Sequence, residues 1–225
     1  LKEKLIDTAG KETRVFPSWH FSMLNDRKRS DAIELAIKSL DLSGKIVFEI
    51  GSGSGLIALL FAKYGAKKVI TCESCPQMFE IAKKIVNASD YRRVITLINA
   101  SSSEVISGNL LNEQPDIIFT ETLDCGIVGE GFFNISNDIS KIAKPNTAIL
   151  PNKICQNLAL VNSEEIFTLN YVNEVSSFDL TVLNNYSTRT YFPVRASLYR
   201  YSILSSQELV RKYQYGKLNL EKIFS

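Results

Sequence analysis

One glycine loop constrains this chain more than any other feature. The apolar run Lys45-Ile-Val-Phe-Glu-Ile50 ends directly in Gly51-Ser-Gly-Ser-Gly55, and Leu56 to Tyr64 follows as a helix that Gly65 closes. Strand, glycine loop and helix in that order let the backbone come close to a ligand where no Cβ intervenes. The spacing then selects among cofactors. A dinucleotide fingerprint starting at Gly51 requires glycine at position 56, where Leu56 stands, so the NAD pattern fails.

The flanking segments extend the pattern. Lys68-Val-Ile-Thr-Cys-Glu73 reads as a second strand that stops on an acid, and Pro76 at a first-turn position opens a helix with Met78, Ile81, Ala82 and Ile85 on one face. Val94 to Ile98 and Asp116 to Thr120 supply two more strands of the buried type, with polar linkers between. Upstream, Asp31 opens a helix whose stripe is Ile33, Ala36, Ile37 and Leu40, and Gly44 closes it. Strands alternating with helices imply an α/β fold, a doubly wound parallel sheet. The texture changes at Pro151, which follows the last apolar strand, Thr147-Ala-Ile-Leu150. Beyond it Ile154 to Val161 and Phe178 to Leu183 are β-like, with no helix-strand alternation. The expected organisation is an N-terminal segment over 1–44, an α/β domain over 45–150 and a β-rich domain over 151–225.

Composition narrows the function class. Of 225 residues, 45% are hydrophobic and 22% charged, as in an ordinary folded protein, and a formal charge of +2 is too small to attract nucleic acid or an anionic membrane by field alone. The most apolar run, Leu56 to Ala62, is far shorter than the roughly 20 residues of a membrane span, and no hydrophobic signal core follows Leu1-Lys2-Glu3-Lys4. Four cysteines are too few for a secreted disulfide framework, so a reduced, cytoplasmic protein is expected, with Cys72 and Cys75 as structural thiols. A single histidine, His20, excludes a Ser-His-Asp triad and a multi-histidine metal site.

The string Glu49-Ile-Gly-Ser-Gly-Ser-Gly55 resembles motif I of class I S-adenosylmethionine-dependent methyltransferases. Glu73 ends the second strand, where a carboxylate can accept both ribose hydroxyls. Glu121-Thr-Leu-Asp-Cys-Gly-Ile-Val-Gly-Glu130 resembles the double-glutamate loop of protein arginine methyltransferases, and His20-Phe-Ser-Met-Leu-Asn-Asp-Arg-Lys-Arg29 resembles that family's cofactor-covering helix. The wording is most similar to divergent members that carry the catalytic module twice. The resemblance implies a Rossmann-like methyltransferase domain followed by a partial β-barrel that serves substrate binding or dimerisation. It implies S-adenosylmethionine as cofactor, with Arg29 pairing its carboxylate, Glu49, Gly51 and Gly53 at its amino-acid end, Glu73 on the ribose, and Ser103 or Glu104 at the adenine. Met23 would line the pocket beside the target nitrogen.

The residue types suit that chemistry. A guanidinium stays protonated and delocalised, so its nitrogens are poor nucleophiles. Two carboxylates, assigned by the resemblance to Glu121 and Glu130, can hold it by paired hydrogen bonds, localise its charge and orient one nitrogen toward the sulfonium methyl. The expected substrate is an arginine-containing protein or peptide. A free small guanidine or amine, and a silent cofactor-binding interaction module, are the alternatives. With Trp19 and His20 both at the N-terminal end, the family's Thr-His-Trp substrate loop is absent from this sequence. A homodimer or a second module is expected to complete the partial barrel.

Overall fold

The computed structural model describes residues 19–124, 127, 130–189, 194 and 196–215, together with the backbone of β1 (Leu5–Ile6) and β2 (Glu12–Thr13), an antiparallel pair. The chain divides into two units, one of residues 1–120 and 142–149, the other of 121–141 and 150–225. No helix among the described residues is long and apolar enough to cross a membrane.

The first unit is built on five strands, β3 (Ile46–Ile50), β4 (Lys68–Cys72), β5 (Ile95–Ile98), β6 (Ile117–Thr120) and β7 (Ala148–Leu150), in the order β5-β4-β3-β6-β7. β3 runs parallel to both neighbours, Ile50 opposite Cys72 on one side and Thr120 on the other, and β4 runs parallel to β5. Parallel strands covered on both faces require continuous apolar runs. All four residues of β6 are buried, as are Val47 to Ile50 of β3 and Val69 to Cys72 of β4. The helices are α1 (Trp19–Asn25), α2 (Arg27–Lys38), α3 (Leu56–Lys63), α4 (Pro76–Asn87) and α5 (Ser102–Ser107). Ala58 and Phe61 of α3 are buried, and Phe61 meets Phe119 of β6 edge-on at 5.7 Å. α4 starts with Pro76 in its first turn, as read from the sequence.

Several boundaries differ from the sequence reading. Asp26, not Asp31, caps α2: its Oδ1 accepts the Arg29 N–H at 3.1 Å, and Asp31 lies inside the helix. The helix ends at Lys38, well before Gly44. On α4 the buried stripe is Met78, Ala82 and Val86; the parallel row one position earlier lies at the edge of that face, with Ile81 half-buried and Ile85 exposed. α5 replaces part of an expected polar linker. Ser101 and Glu104 close its N-terminus as a reciprocal capping box, which lets six residues hold a helix.

The second unit contains α6 (Phe132–Ile142), β8 (Ile154–Leu158), β9 (Val161–Asn162), α7 (Glu164–Phe167), β10 (Glu174–Val175), β11 (Phe178–Asp179), β12 (Ser202–Ile203) and β13 (Glu208–Tyr213), with 3₁₀ turns at Thr181–Tyr186 and Ala196–Leu198. Among the described residues its β structure consists of three antiparallel ladders, β8-β13, β9-β12 and β10-β11. The expected strand over Phe178 to Leu183 shrinks to the two residues of β11; Ser176 and Ser177 form the hairpin turn at positive φ, and Asp179 Oδ1 accepts the Thr181 N–H, which turns the chain into 3₁₀. The centre of this unit is aromatic. Phe132, fully buried, packs against Tyr213 at 5.4 Å and Tyr215 at 4.8 Å between ring centroids. Leu160, Phe178, Val182 and Tyr186 are largely exposed.

Candidate active site

In the first unit the glycine loop hangs on the end of β4. The N–H groups of Gly51 and Ser52 both donate to the Cys72 carbonyl at 3.0 Å, and Gly55 N–H donates to the Ser52 carbonyl at 2.7 Å. Gly51, Gly53 and Gly55 all take positive φ, at 86°, 51° and 83°. Gly55 is further required by packing: a Cβ there would stand 3.2 Å from Val86 Cγ2 and 3.6 Å from Ala82 Cβ of α4. Gly53 is the opposite case, since a Cβ would meet nothing within 4 Å. The loop therefore presents its backbone to open space at Gly53 and is packed shut at Gly55.

Glu73 braces this loop. Its Oε2 accepts the Gly53 N–H at 3.0 Å and its Oε1 accepts the Cys75 N–H at 2.9 Å, while Asn99 Nδ2 donates to its carbonyl at 2.8 Å. A carboxylate has about four lone-pair sites, so each oxygen retains capacity for a further donor. Sequence reasoning gave Glu73 a ligand and missed this bracing role, and it missed Asn99.

Glu49 is only 1% exposed, and neither carboxylate oxygen has a hydrogen-bond partner among the described residues. Thr71, opposite it in the β3–β4 register, and Ser52, in the loop, also hold buried hydroxyls without a partner. Burial raises the Glu49 carboxyl from its ordinary 4.5 to about 8; the neighbouring Thr71 hydroxyl opposes the shift and the charge of Glu73 adds to it. Three desolvated polar groups gathered where the glycine backbone faces open space are expensive unless a polar ligand satisfies them. The donor set fits the amino-acid end of S-adenosylmethionine, which carries both an ammonium and a carboxylate.

The other first-unit candidates sit on α1, α2 and α5. Met23 and Arg29 are half-buried, whereas Arg27 and Lys28 beside Arg29 are exposed, so Arg29 is not one more charge of a solvated face. His20 is buried and its imidazole is held below its usual range by desolvation, with the Glu73 charge pulling the other way. Ser103 and Glu104 are exposed in the first turn of α5. Glu104 Oε2 accepts both the Ser101 N–H and hydroxyl at 2.7 Å, bonds that hold its carboxyl below the usual range. Its local work is helix capping.

The acidic loop opens the second unit. Glu121 and Asp124 are half-buried and Glu130 is exposed; Cys125, Gly126, Val128 and Gly129 lie outside the described residues. Asp124 Oδ1 is buried without a partner. Partial burial, then the like charges of Asp124 and Glu121, raise the Glu130 carboxyl. A carboxyl raised by two neighbouring acids suits a cationic ligand. Glu121 directly follows Thr120, which pairs with Ile50, the residue before Gly51. Within the first unit, Ile50 and Thr120 thus end adjacent parallel strands at the same register, at the carboxyl edge where open α/β sheets bind ligands.

The family model for ribosomal protein L11 methyltransferase (PrmA) matches residues 32–168. An arginine N(omega)-methyltransferase of Streptomyces achromogenes subsp. streptozoticus is 34% identical over 209 residues, covering 92% of this chain and 58% of that protein. Protein arginine N-methyltransferase 9 of Homo sapiens is 37% identical over 114 residues, 50% of this chain and 14% of that one. Among solved structures, the Trypanosoma brucei PRMT1 enzyme-prozyme heterotetrameric complex with AdoHcy superposes with a TM-score of 0.77 at 21% identity, covering 92% of this chain and 64% of that chain; at that identity the likeness concerns the fold. The chain spans little more than half the length of the Streptomyces relative. The family model covers more than half of the sequence: the chain belongs to the methyltransferase family that this model describes, and it is similar to arginine methyltransferases.

Proposed function

We propose that this chain transfers a methyl group from S-adenosylmethionine to a guanidino nitrogen of arginine. The observation that carries the reading is the glycine loop of the first unit, with Gly53 facing open space beside the unpartnered polar groups of Glu49, Thr71 and Ser52; the acids Glu121, Asp124 and Glu130 of the second unit support its arginine side. When bound, the cofactor supplies a methyl carbon already activated by its sulfonium. Arg29 holds its carboxylate, the Gly51 and Gly53 backbone and Glu49 its amino-acid end, and Glu73 the ribose, while Met23 lines the site and Ser103 and Glu104 stand on the adenine side. Glu121 and Glu130 hold the guanidinium, draw its positive charge to one side and leave one nitrogen free to attack; one of them takes up the departing proton.

An arginine in a protein or peptide is the first substrate reading. Free arginine is the second, and a specific observation favours it: the relative that aligns with 92% of this chain is named an arginine, not a protein arginine, methyltransferase. A silent cofactor-binding module is disfavoured by Glu121, Glu130 and Arg29 all being in place. The exposed Leu160, Phe178, Val182 and Tyr186 support completion of the second unit by another copy or module. The test is a labelled-methyl assay on arginine-rich peptides and on free arginine, with cofactor binding measured by calorimetry. Binding without transfer to either substrate would leave the silent module; no binding would remove the methyltransferase reading.

A further inference from the structure

Glu49 poses a problem that the cofactor reading by itself does not resolve. Its carboxyl belongs to the penultimate residue of β3, just before the glycine loop, 1% exposed, with both oxygens unpartnered among the described residues. Its register neighbours are Thr71 on β4, whose hydroxyl is also unpartnered, and Phe119 on β6, which has no polar group to offer. The loop after it contributes the unpartnered Ser52 hydroxyl, and the charge that acts on it is the repelling one of Glu73. Burial outweighs the one group here that favours a carboxylate, the Thr71 hydroxyl, so the side chain stays a neutral acid near pH 7. A neutral acid is a poor partner for an ammonium, yet Glu49 stands where the amino-acid end of the ligand would enter.

We propose that Glu49 loses its proton as the cofactor binds, so that its carboxylate becomes the buried counter-ion of the cofactor's α-ammonium. This rests on the cofactor reading given above. The balance is simple: the Glu49 O–H bond breaks, a buffer base takes the proton, and the new carboxylate accepts hydrogen bonds from the incoming N–H groups. The free protein thereby avoids a bare buried charge, and the charge appears only when its partner does. Ser52 and Thr71 hydroxyls, idle in the free protein, become available donors to the carboxylate. The exchange makes cofactor affinity pH-dependent and sensitive to whether the ligand carries an amino group. His20 cannot supply the same proton, because burial keeps it neutral at pH 7.

The test is calorimetric titration of the protein with S-adenosylhomocysteine at pH 7.0 in phosphate and in Tris, whose ionisation heats differ. The difference in apparent heat counts protons released. With the Glu49 carboxyl at about 8, roughly nine-tenths of a proton is released per ligand at pH 7, and affinity rises close to tenfold per pH unit from 6 to 7.5 and flattens above 8. Glu49→Gln, isosteric with the neutral acid, is expected to release none and to lose the pH slope. Binding with no buffer dependence in the unaltered protein overturns the proposal, as does equal release from Glu49→Gln. If that variant fails to bind, the buffer series and pH profile of the unaltered protein still decide. Absence of any binding heat overturns the cofactor reading, and this proposal with it.

Discussion

Replacing Glu49 with glutamine in the ligand-free protein should stabilise it, by an amount that grows with pH. In the unfolded chain the carboxyl ionises near 4.5, while in the folded chain burial holds it to about 8. Below pH 4.5 both states carry the proton and the residue contributes nothing to pH dependence. Above it the unfolded state gains an ionised carboxylate that the folded state lacks, so stability falls as pH rises, until the folded group ionises as well. Each pH unit in that window costs about 1.4 kcal/mol. The cost is about 3 kcal/mol at pH 7 and reaches its ceiling of about 5 kcal/mol above pH 8. Against a usual net stability of about 5–15 kcal/mol, that is a large fraction to spend on one side chain. Glutamine has the shape of the neutral acid and does not titrate, so the variant escapes the whole loss. Urea unfolding of both proteins, followed by circular dichroism from pH 5 to 8, measures the gap. A constant offset would reflect the amide's own hydrogen bonding; growth of the gap with pH carries the reasoning. A gap that stays flat across that range would show that Glu49 is solvated or partnered, and would refute the picture of a buried neutral acid.

Three further outcomes follow from the same geometry. Glu73→Ala removes the acceptor of the Gly53 and Cys75 N–H groups, so it should lower stability by about 1–3 kcal/mol in thermal unfolding and weaken cofactor binding roughly ten- to a hundredfold by calorimetry. Gly53→Ala should cost only about 1–2 kcal/mol, the price of a left-handed φ with no clash, yet impair cofactor binding; Gly55→Ala adds a 3.2 Å approach to Val86 and should cost about 2 kcal/mol more, so melting temperatures rank the two. Glu121→Gln and Glu130→Gln should each abolish methyl transfer while leaving cofactor affinity nearly unchanged, and in the unaltered enzyme turnover should rise with pH as the raised Glu130 carboxyl ionises.

The glycine loop and its flanking strands could be read directly from the chain because local chemistry and burial agree there. Ile46 to Ile50 and Ile117 to Thr120 are continuous apolar runs, as parallel strands covered on both faces must be, and Gly55 combines a left-handed φ with a Val86 contact that excludes any side chain. What stayed hidden needs a partner from elsewhere in the chain. The sequence places Glu49 before a glycine, but its lack of hydrogen bonds depends on Thr71 and Phe119 standing beside it in register. Glu73 is an obvious acid at a strand end, whereas its hold on Gly53 and Cys75 appears only when the loop folds back. Asp26 and Asp31 are both plausible helix caps in sequence, and the choice fell to Asp26 because α1 ends one residue before it.

The second unit resisted the same reading for a different reason. Its β10, β11 and β12 are two residues long, too short for period-two alternation to register, and the stripe of α6, Phe132, Ser136 and Ile139, is interrupted in sequence by Asn and Asp. Short ladders bury little, so they cannot be what holds the unit together. The buried aromatic group around Phe132 can, because Tyr213 arrives on it from the end of β13 and Tyr215 lies two residues beyond. β13 also pairs with β8 through Tyr213 opposite Ile154, so one strand joins the longest ladder to the helix that follows the acidic loop. Glu130 stands two residues before Phe132, the first residue of α6, so it enters the second unit next to this aromatic group. On the proposed function, Phe132→Ala should therefore lower methyl transfer through Glu130 and leave cofactor binding, assigned to first-unit residues, nearly unchanged; equal loss of both in calorimetry and a transfer assay would refute this.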